Sequence, residues 1–198
     1  MDEITIYNLA LTRLGHNEFV ETASDTTTAA KVCRLHYEPT RRAVLEAHPW
    51  NFAVKRAELA ALTDAPNHEF DYAFALPADF LRIVRTSLEA DGYTDAEYRI
   101  ETMVSGGDTI RVLVTNDETL SIEYLADVTD PNLFSATFAD LMAARLAAEI
   151  SMSITDTMSA SQALWQIYES KLREARTTDA QQGTPREHFA DQWITARL

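Results

Sequence analysis

Apolar positions recur with helical spacing at both ends of the chain and with a period of two between them. Tyr7, Ala10, Leu11 and Leu14 fall at i, i+3, i+4 and i+7, and Gly15 follows, which predicts a short first helix with a glycine stop. Ala29, Cys33, Tyr37, Thr40, Val44 and Ala47 predict a second helix, capped by Ser24 or Asp25, kinked at Pro39 or broken at Glu38, and ended by Pro49. Alternation then takes over at Trp50, Phe52 and Val54, and again at Phe70, Tyr72, Phe74 and Leu76 as far as Pro77. A tight turn at 78–81, an apolar run at 83–88 and an Asp91-Gly92 turn follow. Tyr98, Ile100 and Thr102 alternate up to Ser105-Gly106-Gly107-Asp108, a hairpin signal, and Ile110, Val112 and Val114 continue beyond it. Asn116-Asp117 turns the chain into Leu120, Ile122 and Tyr124. Short turns between sequential strands favour an antiparallel, meander-like sheet. After Asp130-Pro131 a stripe of Phe134, Phe138, Leu141, Met142, Leu146 and Ile150 predicts a long helix. A cap at 155–157 and a stripe of Leu164, Ile167, Tyr168, Leu172 and Ala175 predict its antiparallel partner.

The expected class is α+β. N- and C-terminal helices (residues 1–48 and 132–178) form a helical bundle, residues 49–131 a central antiparallel β region, and residues 179–198 an extended C-terminal tail.

The length, 198 residues, suits one large domain or two small ones. The single cysteine, Cys33, excludes an intrachain disulfide and a cysteine-cluster zinc site. The start, Met1-Asp2-Glu3-Ile4-Thr5, lacks the basic and apolar regions of a signal peptide, so a soluble, non-secreted protein is expected. No apolar run reaches the length of a membrane span.

Charge changes the picture more. The net charge is −14, and there are only three lysines, Lys31, Lys55 and Lys171. Tight binding to nucleic acid or to an anionic membrane is therefore not expected. Residues 63–131 hold 15 acids against 4 bases, a net −11 for one third of the chain. Such a region reads either as a solvated face or as a surface that repels an anion. In the second reading the candidates are Glu97, Glu101, Asp108, Asp117 and Glu118, at exposed strand positions or turns.

Catalytic patterns are weak. The five histidines include no HExxH pair, and no GxSxG elbow, Walker loop or GxGxxG is present. Cys33 and His36 lie one helical turn apart, but Cys33 sits on the apolar stripe and reads as a buried thiol. Asp71 and Asp79 could pair as hydrolytic carboxylates, in a region where acids are abundant. No catalytic residue, cofactor or metal is expected. The polar tail ends in Gln192-Trp193-Ile194-Thr195-Ala196-Arg197-Leu198, an apolar tip suited to capture by another chain, with Trp193, Ile194, Arg197 and Leu198 as the expected contacts.

Three motifs carry a resemblance. The run from Arg42 through Ala47-His48-Pro49-Trp50-Asn51-Phe52-Ala53, with Arg56, is similar to the head-to-tail adaptors of tailed bacteriophages, of the tail tubular protein A type. Asn8-Leu9-Ala10-Leu11 with Leu14-Gly15, and Ala75-Leu76-Pro77-Ala78-Asp79-Phe80-Leu81-Arg82, resemble the same family in order and spacing. The three span residues 8–82. Read as packing, Trp50 and Phe52 are core aromatics where a helix hands over to a strand, Pro49 a helix stop, and Asp79 a cap on the turn at Phe80 and Leu81. The resemblance implies a non-enzymatic, dodecameric ring joining the portal protein to other tail or neck proteins. DNA would pass through it without specific binding. It would be located at the virion neck, and in the host cytoplasm during assembly, with no membrane partner. Two alternatives stand beside it: a stopper or tail-completion ring of the same neck, and a small carboxylate-dependent hydrolase.

Overall fold

A computed structural model describes residues 1–17, 19–89 and 97–183 of the chain. Among the described residues, four α-helices and six strands make an α+β fold. Helix α1 runs Glu3–Arg13, α2 Thr28–Glu46, α3 Ala136–Thr155 and α4 Met158–Ala180. The strands are β1 Val54–Leu59, β2 Tyr72–Ala75, β3 Phe80–Thr86, β4 Tyr98–Ser105, β5 Asp108–Thr115 and β6 Leu120–Ala126.

The helices start and stop for local reasons. Asp2 caps α1, its carboxylate accepting from the Thr5 N–H, and Gly15 takes a positive φ of 72° just past the helix end. The α2 cap is Thr27, not Ser24 or Asp25; its hydroxyl accepts from the Ala30 N–H. Asp25 is occupied otherwise, accepting from the N–H groups of Glu21 and Thr22 in the preceding loop. Neither does α2 break at Glu38. It runs through Pro39, which costs one ladder bond at an exposed position where water reaches the freed Leu35 carbonyl. Helix α4 also runs past the expected end of the bundle, to Ala180. Between α3 and α4, Asp156 adopts the left-handed conformation that reverses the chain.

The strands are antiparallel, but they do not form a meander. They divide into two three-stranded sheets, ordered β1-β6-β3 and β2-β5-β4. Only β4 and β5 are both sequential and paired. The other strands pair with ones distant in sequence, and the two central strands, β5 and β6, bury residues on both faces. On β6, Leu120, Ile122 and Tyr124 face the second sheet, where they meet Phe74 and Leu113, while Leu125 joins the helical core. On β5, Leu113 enters the core between the sheets and Val112 and Val114 pack outward against Phe70 and Leu62. The layers are thus helices, first sheet, second sheet, and the segment before β2. At the helical end α3 is central, with Phe138, Leu141, Met142, Leu146 and Ile150 all fully buried.

Candidate functional site

The most densely connected part of the family-like sequence is the junction after α2. Trp50 does not begin a strand. It caps a single 3-10 turn, Asn51–Ala53, and β1 starts only at Val54. The turn swings both aromatics inward. Trp50 is 1% exposed and lies edge-on to Phe138, with ring centroids 5.1 Å apart, and its indole N–H donates to the Val44 carbonyl at 2.9 Å. Phe52 meets Phe138 edge-on at 4.8 Å. These contacts pin the end of α2 onto α3.

The same turn also holds α4. The Asn51 backbone N–H is shared by the two carboxylate oxygens of Asp179, at 3.1 and 3.2 Å, and the Asn51 side-chain amide donates to the Asp179 carbonyl at 2.7 Å. The His48 Nε2 lies 3.3 Å from Asp179. Burial, helped by the charges of Arg176 and Arg82, pulls the His48 imidazole below its usual pKa against the opposing effect of Asp179. Arg176 donates to the Ala47 carbonyl at 2.5 Å, and Arg82 to that of Glu46 at 3.2 Å. The two arginines satisfy terminal carbonyls of α2 and favour the negative end of its dipole.

The third motif faces the sheets. Leu76 packs into the core between them, Pro77 accepts from the Phe80 N–H at 3.0 Å, and Leu81 packs against the helical core. Phe80 stacks on Tyr124, with the Arg111 guanidinium 5.1 Å from its ring. Asp79 does not cap the turn that follows it. Its carboxylate joins Lys55, at 2.6 Å, to the Tyr124 hydroxyl, at 3.0 Å. Lys55 and the hydroxyl together hold Asp79 below its usual pKa, against the opposing effect of burial, and the Tyr124 hydroxyl is pushed up to about 12 by burial and by Asp79. Asp71 lies elsewhere, before β2, with its N–H held by Asn116. Among the described residues no contact joins the two aspartates.

The five candidate acids are exposed, but they do not converge. Glu97 precedes Tyr98, whose register partner Thr115 lies just before Asp117 and Glu118, so these three share one end of the second sheet. Glu101 sits mid-strand opposite Val112, and Asp108 closes the hairpin at the far end. Eight residues at roughly 3.4 Å each put about 24 Å between those ends. Trp193, Ile194, Arg197 and Leu198 lie outside the described residues. Cys33 is fully buried, and burial pushes its thiol up to about 11.

No family model matches the chain, and no characterised protein matches it in sequence.

Asp179 and Arg176, which complete the junction, were not singled out by the sequence. They fall in residues 176–180, past Ala175, the last position of the apolar stripe that marks the helix. Arg41 was equally silent: it is 4% exposed, pairs with Asp127 and donates to the Val128 carbonyl at 2.7 Å. Asp127 also receives Arg42, at 3.0 Å. This trio ties α2 to the end of β6, as Arg13 and Lys171 on Asp140 tie α1 and α4 to α3.

Proposed function

We propose that the protein is a phage head-to-tail adaptor, a structural ring subunit that joins the portal to the tail and forms part of the DNA channel. The reading rests on the resemblance of residues 8–82. The observation that carries it furthest is the junction at His48–Ala53, where the most distinctive motif residues act as joints. Trp50, Asn51 and Phe52 fasten α2, α3 and α4 at the point where the strands begin. A subunit that transmits load between two assemblies needs its layers coupled, and a catalytic reading gives these side chains no comparable role. Helix α4 is fixed at its last turn, so any segment that follows Gly183 leaves from an anchored base. The acidic excess suits a conduit through which DNA slides without adhering.

The experiment is imaging of the full chain mixed with portal rings of candidate tailed phages. A ring of density beneath the portal is the expected result. Truncation after Gly183 leaves the subunit folded and abolishes the attachment if Trp193, Ile194, Arg197 and Leu198 are its contacts. Absence of the full chain from every portal tested, together with an activity that depends on Asp71 or Asp79, would replace this reading with the hydrolase.

A further inference from the structure

The helix-facing side of the first sheet is only partly covered. Val54 on β1, Leu125 on β6 and Val84 on β3 pack against the helical core. Strand residues alternate between faces, so the next rows on that side are Arg56, Glu123 and Arg85, and then Glu58 and Ser121. The residues between these rows, Ala57 and Ile122, turn the other way and join the core between the sheets. On the helix-facing side the two rows frame a cavity of about 370 Å³, lined among the described residues by β1, β6 and the β3 stretch through Ser87 alone. Its surface is mainly apolar, while Arg56 and Glu58 on β1 are exposed at its rim.

The cavity lies close to the point where the C-terminal tail departs. Helix α4 is tied through Asp179 to Asn51, and β1 begins three residues later at Val54. Arg56 is two residues further on, about 7 Å along the strand. The tail itself lies outside the described residues. Trp193 comes ten residues after Gly183, and a chain of that length spans up to about 33 Å. Trp193 and Arg197 are four residues apart, so they share a face whether the tail is helical or extended.

We propose that residues 184–198 of the free chain dock on this face of their own first sheet, with the Trp193 ring in the cavity beside Arg56 and Arg197 at Glu58. The chemistry matches on three counts. A mainly apolar cavity takes the indole ring. A guanidinium at its rim favours an aromatic face. A carboxylate two residues along β1 offers Arg197 a charge-assisted bond, in a chain whose net charge of −14 favours a cation. The docking concerns the free chain and does not depend on the adaptor reading. In that reading, the tail would have to leave the cavity before it could reach the portal.

Disulfide trapping in the full chain tests this. Ser121→Cys is combined with Thr195→Cys in one variant and with Ala196→Cys in another. One tail position shares the Trp193 face in an extended segment, the other in a helical one. Cys33 is fully buried and stays silent in the native state. Oxidation should give a disulfide within one chain in at least one variant, much faster than in a control with Thr109→Cys, on the β4–β5 hairpin, in place of Ser121→Cys. Trp193→Ala should slow the cross-link by about tenfold or more. Glu58→Arg alone and Arg197→Glu alone should each slow it by about two- to fivefold, and the two together should restore it. Cross-linking no faster than the control in both variants would overturn the proposal. Disulfides formed only between chains would also overturn it, and would assign the tail to a second copy.

Discussion

Asp179 offers a sharp test of the junction. Its carboxylate is nearly buried, accepts the Asn51 backbone N–H and lies beside His48. Asp179→Ala removes that acceptor and leaves the helix backbone in place, so the Asn51 amide bond to the Asp179 carbonyl survives. Hydrogen bonds to charged groups contribute about 1.5–3 kcal/mol, and an unsatisfied buried donor adds to the loss. Asn51 is exposed, so water can partly reach the abandoned N–H, which places the expected loss near 2 kcal/mol. For a chain of this size each kcal/mol shifts the melting temperature by about 2–4 °C, which gives a drop of about 4–8 °C.

Urea and thermal unfolding followed by circular dichroism measure this directly. Asp179→Asn keeps one acceptor oxygen and should fall about midway between the parent and the alanine variant. Glu174→Ala, an exposed change one turn earlier on α4, should stay within about 0.5 kcal/mol of the parent. A loss below about 0.5 kcal/mol for Asp179→Ala would show that the contact does not hold α4, and the account of the junction as a joint would fail.

Three further outcomes are expected. Trp50→Ala empties a fully buried site and orphans the Val44 carbonyl, so it should cost about 3–5 kcal/mol in urea unfolding. Cys33, with its thiol raised to about 11, should resist an alkylating reagent at pH 8 in the native state and react at once in denaturant. His48 titrates below its ordinary value of 6.5 when folded, so the unfolded chain takes up its proton first as pH falls. Its contribution is complete above that value and declines on acidification. His48→Gln should flatten the stability profile between pH 7 and 5, and an unchanged slope would contradict the burial argument.

How much of this was legible in the sequence depends on which residues carried the signal. The apolar stripe Phe138, Leu141, Met142, Leu146 and Ile150 named α3 because a central helix must be apolar over a wide face. Gly106-Gly107 named the β4–β5 hairpin because both residues need positive φ. The pairing of the other strands was hidden. Alternation tells which residues share a face, but nothing in β6 says that its neighbours are β1 and β3. At Trp50 and Phe52 the period of two was real, yet a 3-10 turn satisfied it as well as a strand. Asp179, Arg176 and Arg41 left no trace, because a polar residue that completes a distant junction looks in sequence like any solvated one.

The register of the second sheet also limits what its charge can do. Glu97, Asp117 and Glu118 share one end of it, and Asp108 lies about 24 Å away along β4. At physiological salt, interactions between exposed charges decay over about 8 Å. The five acids therefore cannot repel a passing polyanion as one field. If the protein lines a DNA channel with the cluster of Glu97, Asp117 and Glu118 toward the axis, Asp108 adds no local repulsion there. Neutralising Asp117 and Glu118 to the amides should then slow DNA passage or leave DNA retained in the neck, while Asp108→Asn should not. Equal effects from the two ends would mean that the acidic third acts through net charge alone, which the screening length forbids for a local gate.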